Sequence, residues 1–151
     1  MKKTLLALAA MVSMVFIAGS VMAAEKPLTP ATLQGVTVVD DSWVKTNHGK
    51  MKVFDVRKKA EYVEAHIPGA VSVPYDEKSE HVVDFDAKKD ELDLSKFPAD
   101  KNAPIIVYCN GPRCWKSYKA SVLLIKAGYK KVYWYRNDGS VGWKSKGYPV
   151  E

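Results

Sequence analysis

The sequence predicts an α/β fold, a five-stranded parallel sheet flanked by helices on both faces, and three observations predict it. Five short runs rich in β-branched and aromatic residues, at 36–39, 51–55, 70–73, 104–109 and 131–135, alternate with helical stretches. The fourth run, Pro104-Ile105-Ile106-Val107-Tyr108-Cys109, is apolar at consecutive positions, as a strand covered on both faces requires. The stretch 115–127 then carries Tyr118, Val122 and Ile125 on one helical face and Lys116, Lys119 and Lys126 at other angles. With 151 residues there is room for one ordinary domain. There is no internal repeat.

The amino end reads as a targeting segment. Met1-Lys2-Lys3 is a charged start, residues 5–18 form an apolar run broken only by Ser13, and Val21-Met22-Ala23 offers small residues for cleavage. The expectation is a signal peptide over residues 1–23, cut after Ala23, and an exported, periplasmic or equivalent location. The alternative is an uncleaved anchor, because residues 5–24 approach the length of a membrane span. Residues 24–35, with Pro27 and Pro30 and no period, read as a mobile lead-in ended by Gly35, and the domain proper as 36–151.

Each element follows from local chemistry. Val36-Thr37-Val38-Val39 is a strand, and Asp40, Asp41 and Ser42 suit the cap of one helical turn reaching Lys45. Asn47-His48-Gly49 is a turn. Residues 51–55 form a strand that ends on Asp55, and 58–65 a short helix broken by Pro68-Gly69. Residues 70–73 form a strand stopped by Pro74. From Tyr75 to Lys101 the chain is charged and irregular, with one helical turn expected at 90–94. Gly128 suits the position after the long helix, 131–135 is the last strand, Asn137-Asp138-Gly139 a turn and 141–146 a closing helix. Trp134 and Trp143 are expected in the core.

Composition excludes some classes. The formal charge falls from +6 to +4 without Lys2 and Lys3, and the lysines are interleaved with acids, so no nucleic-acid partner is expected. After signal cleavage no membrane association is expected, and the oligomeric state is left open. Two cysteines with His48, His66 and His81 form no zinc-ligand set, so no metal and no cofactor is implied. A bridge between two cysteines so close in sequence adds less chain-entropy stabilisation than one spanning the domain.

The stretch that carries chemistry is Cys109-Asn110-Gly111-Pro112-Arg113-Cys114, between the strongest strand and the strongest helix. A cysteine at a strand's carboxyl end, facing a helix N-terminus, lies where unpaired N–H groups and the helix dipole favour thiolate. That is compatible with phosphatase, redox or sulfur chemistry. A phosphatase loop needs arginine six positions after the cysteine, where this chain has Trp115, and a thioredoxin-like motif needs two intervening residues rather than four.

Three further pieces carry a resemblance. Asp55-Val56-Arg57, Glu61-Tyr62 and His66-Ile67-Pro68-Gly69-Ala70 resemble the amino-terminal signature of rhodanese (sulfurtransferase) domains. Val107-Tyr108-Cys109 and its loop resemble their active site, and Gly142-Trp143 with Gly147-Tyr148-Pro149-Val150 their carboxyl-terminal signature. The resemblance implies that Cys109 takes sulfane sulfur from a small anionic donor (thiosulfate, polysulfide or a persulfide) and passes it to cyanide or a thiol. It implies that the amides of Asn110 through Cys114 cradle the anionic sulfur, with Gly111 and Pro112 shaping the loop and Arg113 and Lys116 attracting the donor. Asp55 and Arg57 would support the loop as an ion pair, and His66 would pack against it. Cys114 departs from the family pattern. It is a candidate to resolve the Cys109 persulfide, to lock a resting disulfide, or only to line the loop. The competing functions are a thiol-disulfide redox protein using Cys109 and Cys114, and a non-catalytic module that carries sulfur or binds a partner.

Overall fold

The computed structural model describes residues 25–151, so the expected signal peptide and its cleavage point lie outside the described residues. Five strands, β1 (Val36–Val39), β2 (Lys52–Asp55), β3 (Val71–Ser72), β4 (Ile105–Tyr108) and β5 (Val132–Tyr135), form one sheet in the order β1-β5-β4-β2-β3. Every pairing is parallel. The helices are α1 (Asp41–Asn47), α2 (Lys59–Glu64), α3 (Trp115–Lys126) and α4 (Gly139–Ser145). Among the described residues no helix is long and apolar enough to cross a membrane.

All four residues of β4 are buried, and alternate side chains serve the two faces of the sheet. Ile105, Val107 and Cys109 join Ala120 and Leu124 of α3 in one core. Ile106 and Tyr108 join Val44 of α1 and Trp143 of α4 in the other. The unbroken apolar run was therefore the correct sign of a central, doubly covered strand. From β2 the chain moves on to β3 at one edge, whereas β4 leads to β5 on the other side. The carboxyl ends of the adjacent strands β2 and β4 thus flank the crevice where parallel sheets bind ligands.

Several local expectations change. α1 runs two turns rather than one, capped by Asp40, whose carboxylate accepts from Trp43 N–H at 2.8 Å, and held by the fully buried Val44. β3 shrinks to two residues. Gly139 opens α4 instead of belonging to a separate turn. The helical turn expected at 90–94 is absent. Two 3₁₀ turns, Ala87–Lys89 and Leu94–Lys96, flank an antiparallel bridge between Asp76 and Glu91, because the Asp90 carboxylate is drawn inward to accept hydrogen bonds.

The lead-in has no regular structure, and it is hydrogen-bonded to the loop 109–114 and the start of α3. Thr29, only 3% exposed, gives both its N–H and its hydroxyl to Pro112 O, and Arg136 reaches Thr29 O at 2.6 Å. Trp115 Nε1–H donates to Pro27 O at 2.8 Å. Composition shows that such a segment lacks regular structure, not that it lacks partners.

Candidate active site

Cys109 follows directly on β4 and is completely buried. It is joined by a disulfide to Cys114, with Cα atoms 6.3 Å apart. Cys114 is the N-cap residue of α3, so the loop closes from the end of the central strand onto the start of the longest helix. Two backbone features allow so tight a path. Gly111 has φ of +138°, which few side-chain-bearing residues adopt. Gly139 abuts the loop so closely that a Cβ there would lie 2.3 Å from Cys109 O and 2.7 Å from Gly111 N. Ser140 N–H then donates to Cys109 O at 2.8 Å.

The five-amide nest expected from Asn110 to Cys114 is not available in full. Pro112 has no N–H, and Cys114 N–H donates to Gly111 O at 2.9 Å, closing a turn. The amides of Asn110, Gly111 and Arg113 are the ones left to such a nest.

Beneath the loop lies a buried charged group. Arg57 Nη2 meets Asp55 Oδ2 at 2.5 Å and also donates to Ala65 O at 2.8 Å, while Arg57 Nε contacts both carboxylate oxygens. Tyr108 O–H donates to Asp55 Oδ2 at 2.7 Å and accepts from Ile67 N–H. Burial works against the Arg57 charge, but the Asp55 carboxylate outweighs it and holds the guanidinium above its ordinary pKa. Burial, with the Asp55 charge beside it, pushes the Tyr108 phenol well up. Tyr108 immediately precedes Cys109, so this group sets the end of β4.

At the mouth, Asn110 holds the loop between two helices instead of facing outward. Its amide N–H donates to Glu61 Oε1 at 2.5 Å, and its Oδ1 accepts from Ser140 O–H at 2.7 Å. Burial raises the Glu61 pKa, but hydrogen bonds from Asn110 and the Lys58 amide bring it below its usual value. Arg113 donates to Lys26 O at 2.6 Å and pairs with Glu25 at 2.8 Å. Lys116 donates to Tyr75 O at 2.8 Å, and burial lowers its pKa. These residues surround a cavity of about 660 Å³, also lined by Lys26, Lys58, Glu77 and Cys114.

His66 does not touch the active-site loop in the expected way. Its ring stacks on Tyr62 at 3.7 Å, Nδ1 lies 2.9 Å from Tyr62 O, and its main chain exchanges hydrogen bonds with Glu151. It fastens the carboxyl end of the chain to α2.

Ser117 was not read from the sequence. It is buried one turn into α3, where Trp134 Nε1–H donates to its Oγ at 2.9 Å. That oxygen lies 3.0 Å from Cys109 Sγ. A disulfide sulfur carries no proton, so the serine hydroxyl is the donor. The available signal was spacing: Ser117 is three residues after the N-cap, on the face that looks back toward the loop. Glu61 was read only as part of a signature, and Thr29, Gly139 and Ser140 depend on long-range contacts that no local pattern announces.

Fold and site together define a parallel α/β domain with a cysteine at the central strand's carboxyl end. Residues 39–146 match the model of the rhodanese-like domain, and the chain belongs to that family. It is 28% identical over 105 residues to an HTH-type transcriptional regulator of Mycobacterium tuberculosis, covering 68% of this chain. The chain spans only 38% of that regulator's length. Among solved structures it resembles the BH2092 protein of Bacillus halodurans, with a TM-score of 0.56, 27% identity and 76% of each chain covered. A rhodanese-related protein of Thermoplasma volcanium shares the fold, with a TM-score of 0.53 and 21% identity, over 76% of this chain and 97% of that one. Such a domain is a sulfurtransferase-type or sulfur-binding module.

Proposed function

We propose that the protein is an exported sulfurtransferase in which Cys109 carries sulfane sulfur as a persulfide. The carrying observation is that Cys109 directly follows the central strand at the ligand crevice and is bonded to Cys114, which lines a cavity with Lys26, Lys58, Arg113 and Lys116. The Cys109 thiolate attacks the outer sulfur of thiosulfate and sulfite leaves; from a polysulfide or persulfide, the shortened chain leaves as thiolate. Cyanide or a thiol then attacks the outer sulfur of the persulfide and returns Cys109 as thiolate. Cys114 offers a third exit. Its thiolate attacks Cys109 Sγ, hydrosulfide departs, and the Cys109–Cys114 disulfide remains.

That disulfide supports a second reading, a thiol-disulfide redox protein with no sulfur transfer. Intact-mass measurement on reduced protein separates the two. After thiosulfate or polysulfide, sulfur transfer predicts a persulfide that accumulates on Cys109 in Cys114→Ser, is absent in Cys109→Ala, and in wild type is either retained or converted to the disulfide with release of hydrosulfide. A reversible loss of two hydrogens (two protons and two electrons) in wild type, with no hydrosulfide released and no sulfur gained by Cys114→Ser, supports the redox reading. A stable persulfide with negligible turnover supports a sulfur carrier.

A further inference from the structure

The two sulfurs of the disulfide are not equivalent. Cys109 is completely buried and does not line the cavity, whereas Cys114 is partly exposed and does. Among the described residues only Cys109 Sγ has an oriented donor, because Ser117 Oγ accepts from Trp134 Nε1–H and turns its own proton toward the sulfur at 3.0 Å. Lys58, Arg113 and Lys116 line the same cavity as Cys114 and favour the approach of an anion.

We propose that the disulfide is reduced with one polarity: an external thiolate attacks Cys114 Sγ, and Cys109 leaves as a thiolate held by Ser117. This rests on the reading that Cys109 and Cys114 form a working couple. The reductant is a dithiol. Its first thiolate forms a mixed disulfide with Cys114 as the Cys109–Cys114 bond breaks and its electron pair passes to Cys109. Its second thiolate attacks the reductant's own sulfur in that mixed disulfide and releases Cys114 as thiolate. One dithiol is oxidised, one disulfide is reduced, and both cysteines return to the sulfur-accepting state. Thiol-disulfide exchange is faster when the leaving thiol has the lower pKa. A hydrogen bond to the charged form lowers it, so Ser117 is a positioning residue that selects Cys109 as the leaving group.

The test uses the full protein purified without reductant. A brief exposure to glutathione, quenched with iodoacetamide, is followed by trypsin, which cuts after Arg113 and separates the two cysteines. The expected result is glutathione on Cys114 and carbamidomethyl on Cys109. Glutathione on Cys109, or an even division, overturns the polarity. Ser117→Ala should slow reduction by dithiothreitol about tenfold and raise the pH midpoint of Cys109 alkylation. Wild-type rate and midpoint in that variant overturn the role of Ser117. Two free thiols persisting by mass after diamide treatment overturn the couple itself, a result distinct from a misplaced adduct.

Discussion

Arg57 is a cation with almost no exposure, and its charge is tolerable only because Asp55 lies against it. Removing the carboxylate leaves that charge without its partner and leaves the Tyr108 hydroxyl without its acceptor. Asp55→Ala should therefore cost about 3–5 kcal/mol in urea unfolding. The double variant Asp55→Ala/Arg57→Met should lose less than the single one, because no uncompensated charge remains. Equal losses would show that the ion pair is not what holds the strand end. The pair was legible through the resemblance, since Asp55-Val56-Arg57 matches part of a family signature. The signature could not show that Tyr108, 53 residues away, completes the group, because that contact exists only once β2 and β4 lie side by side.

Among the elements, the connection between β3 and β4 shows what replaces regular structure when apolar residues are scarce. Asp90 accepts from the amides of Lys78 and Ser79, from the Ser79 hydroxyl and from the Tyr75 phenol. Lys119, reaching across from α3 and completely buried, contacts Ser79 and Glu77. Burial raises the Asp90 pKa, but those donors outweigh it and bring the carboxyl to about 2, from 3.8. A carboxyl depressed on folding contributes stability above its unfolded pKa and loses it as the pH falls through the folded one. The contribution is on the order of 2 kcal/mol. Urea unfolding of wild type and Asp90→Asn should differ by a constant amount from pH 7 to about 4 and converge by that much toward pH 2. A difference unchanged across this range would mean that Asp90 acts only as a neutral acceptor. The strands and α3 were legible because their periods are local. This connection was not, because its order comes from one inward carboxylate that the sequence presents like any surface aspartate.

For the whole molecule, the question is whether the disulfide holds the fold or works within it. The two cores on the faces of β4 form from many apolar side chains, of which Cys109, with Cys114 packed against it, is one member of the first. The bond closes a loop of six residues, which in the chain-entropy model is worth about 2 kcal/mol, against about 5 for a loop of one hundred residues. The same short loop is also tied down without the bridge, by Thr29 to Pro112, by Ser140 to Cys109 and by Asn110 to Glu61. The prolines and lack of period of the lead-in that makes the first of these ties describe its own backbone, and the surface it meets was not legible from them. Reduction should therefore lower the melting temperature by only about 5–10 °C and leave a cooperative transition with the same far-ultraviolet circular dichroism. The check is thermal melting with and without a phosphine reductant, with Cys109→Ser/Cys114→Ser as the permanently open control. Loss of the transition in either case would make the bridge a staple. A small, reversible shift is what the proposed cycle requires, since in that cycle the domain survives each reduction before it takes the next sulfur.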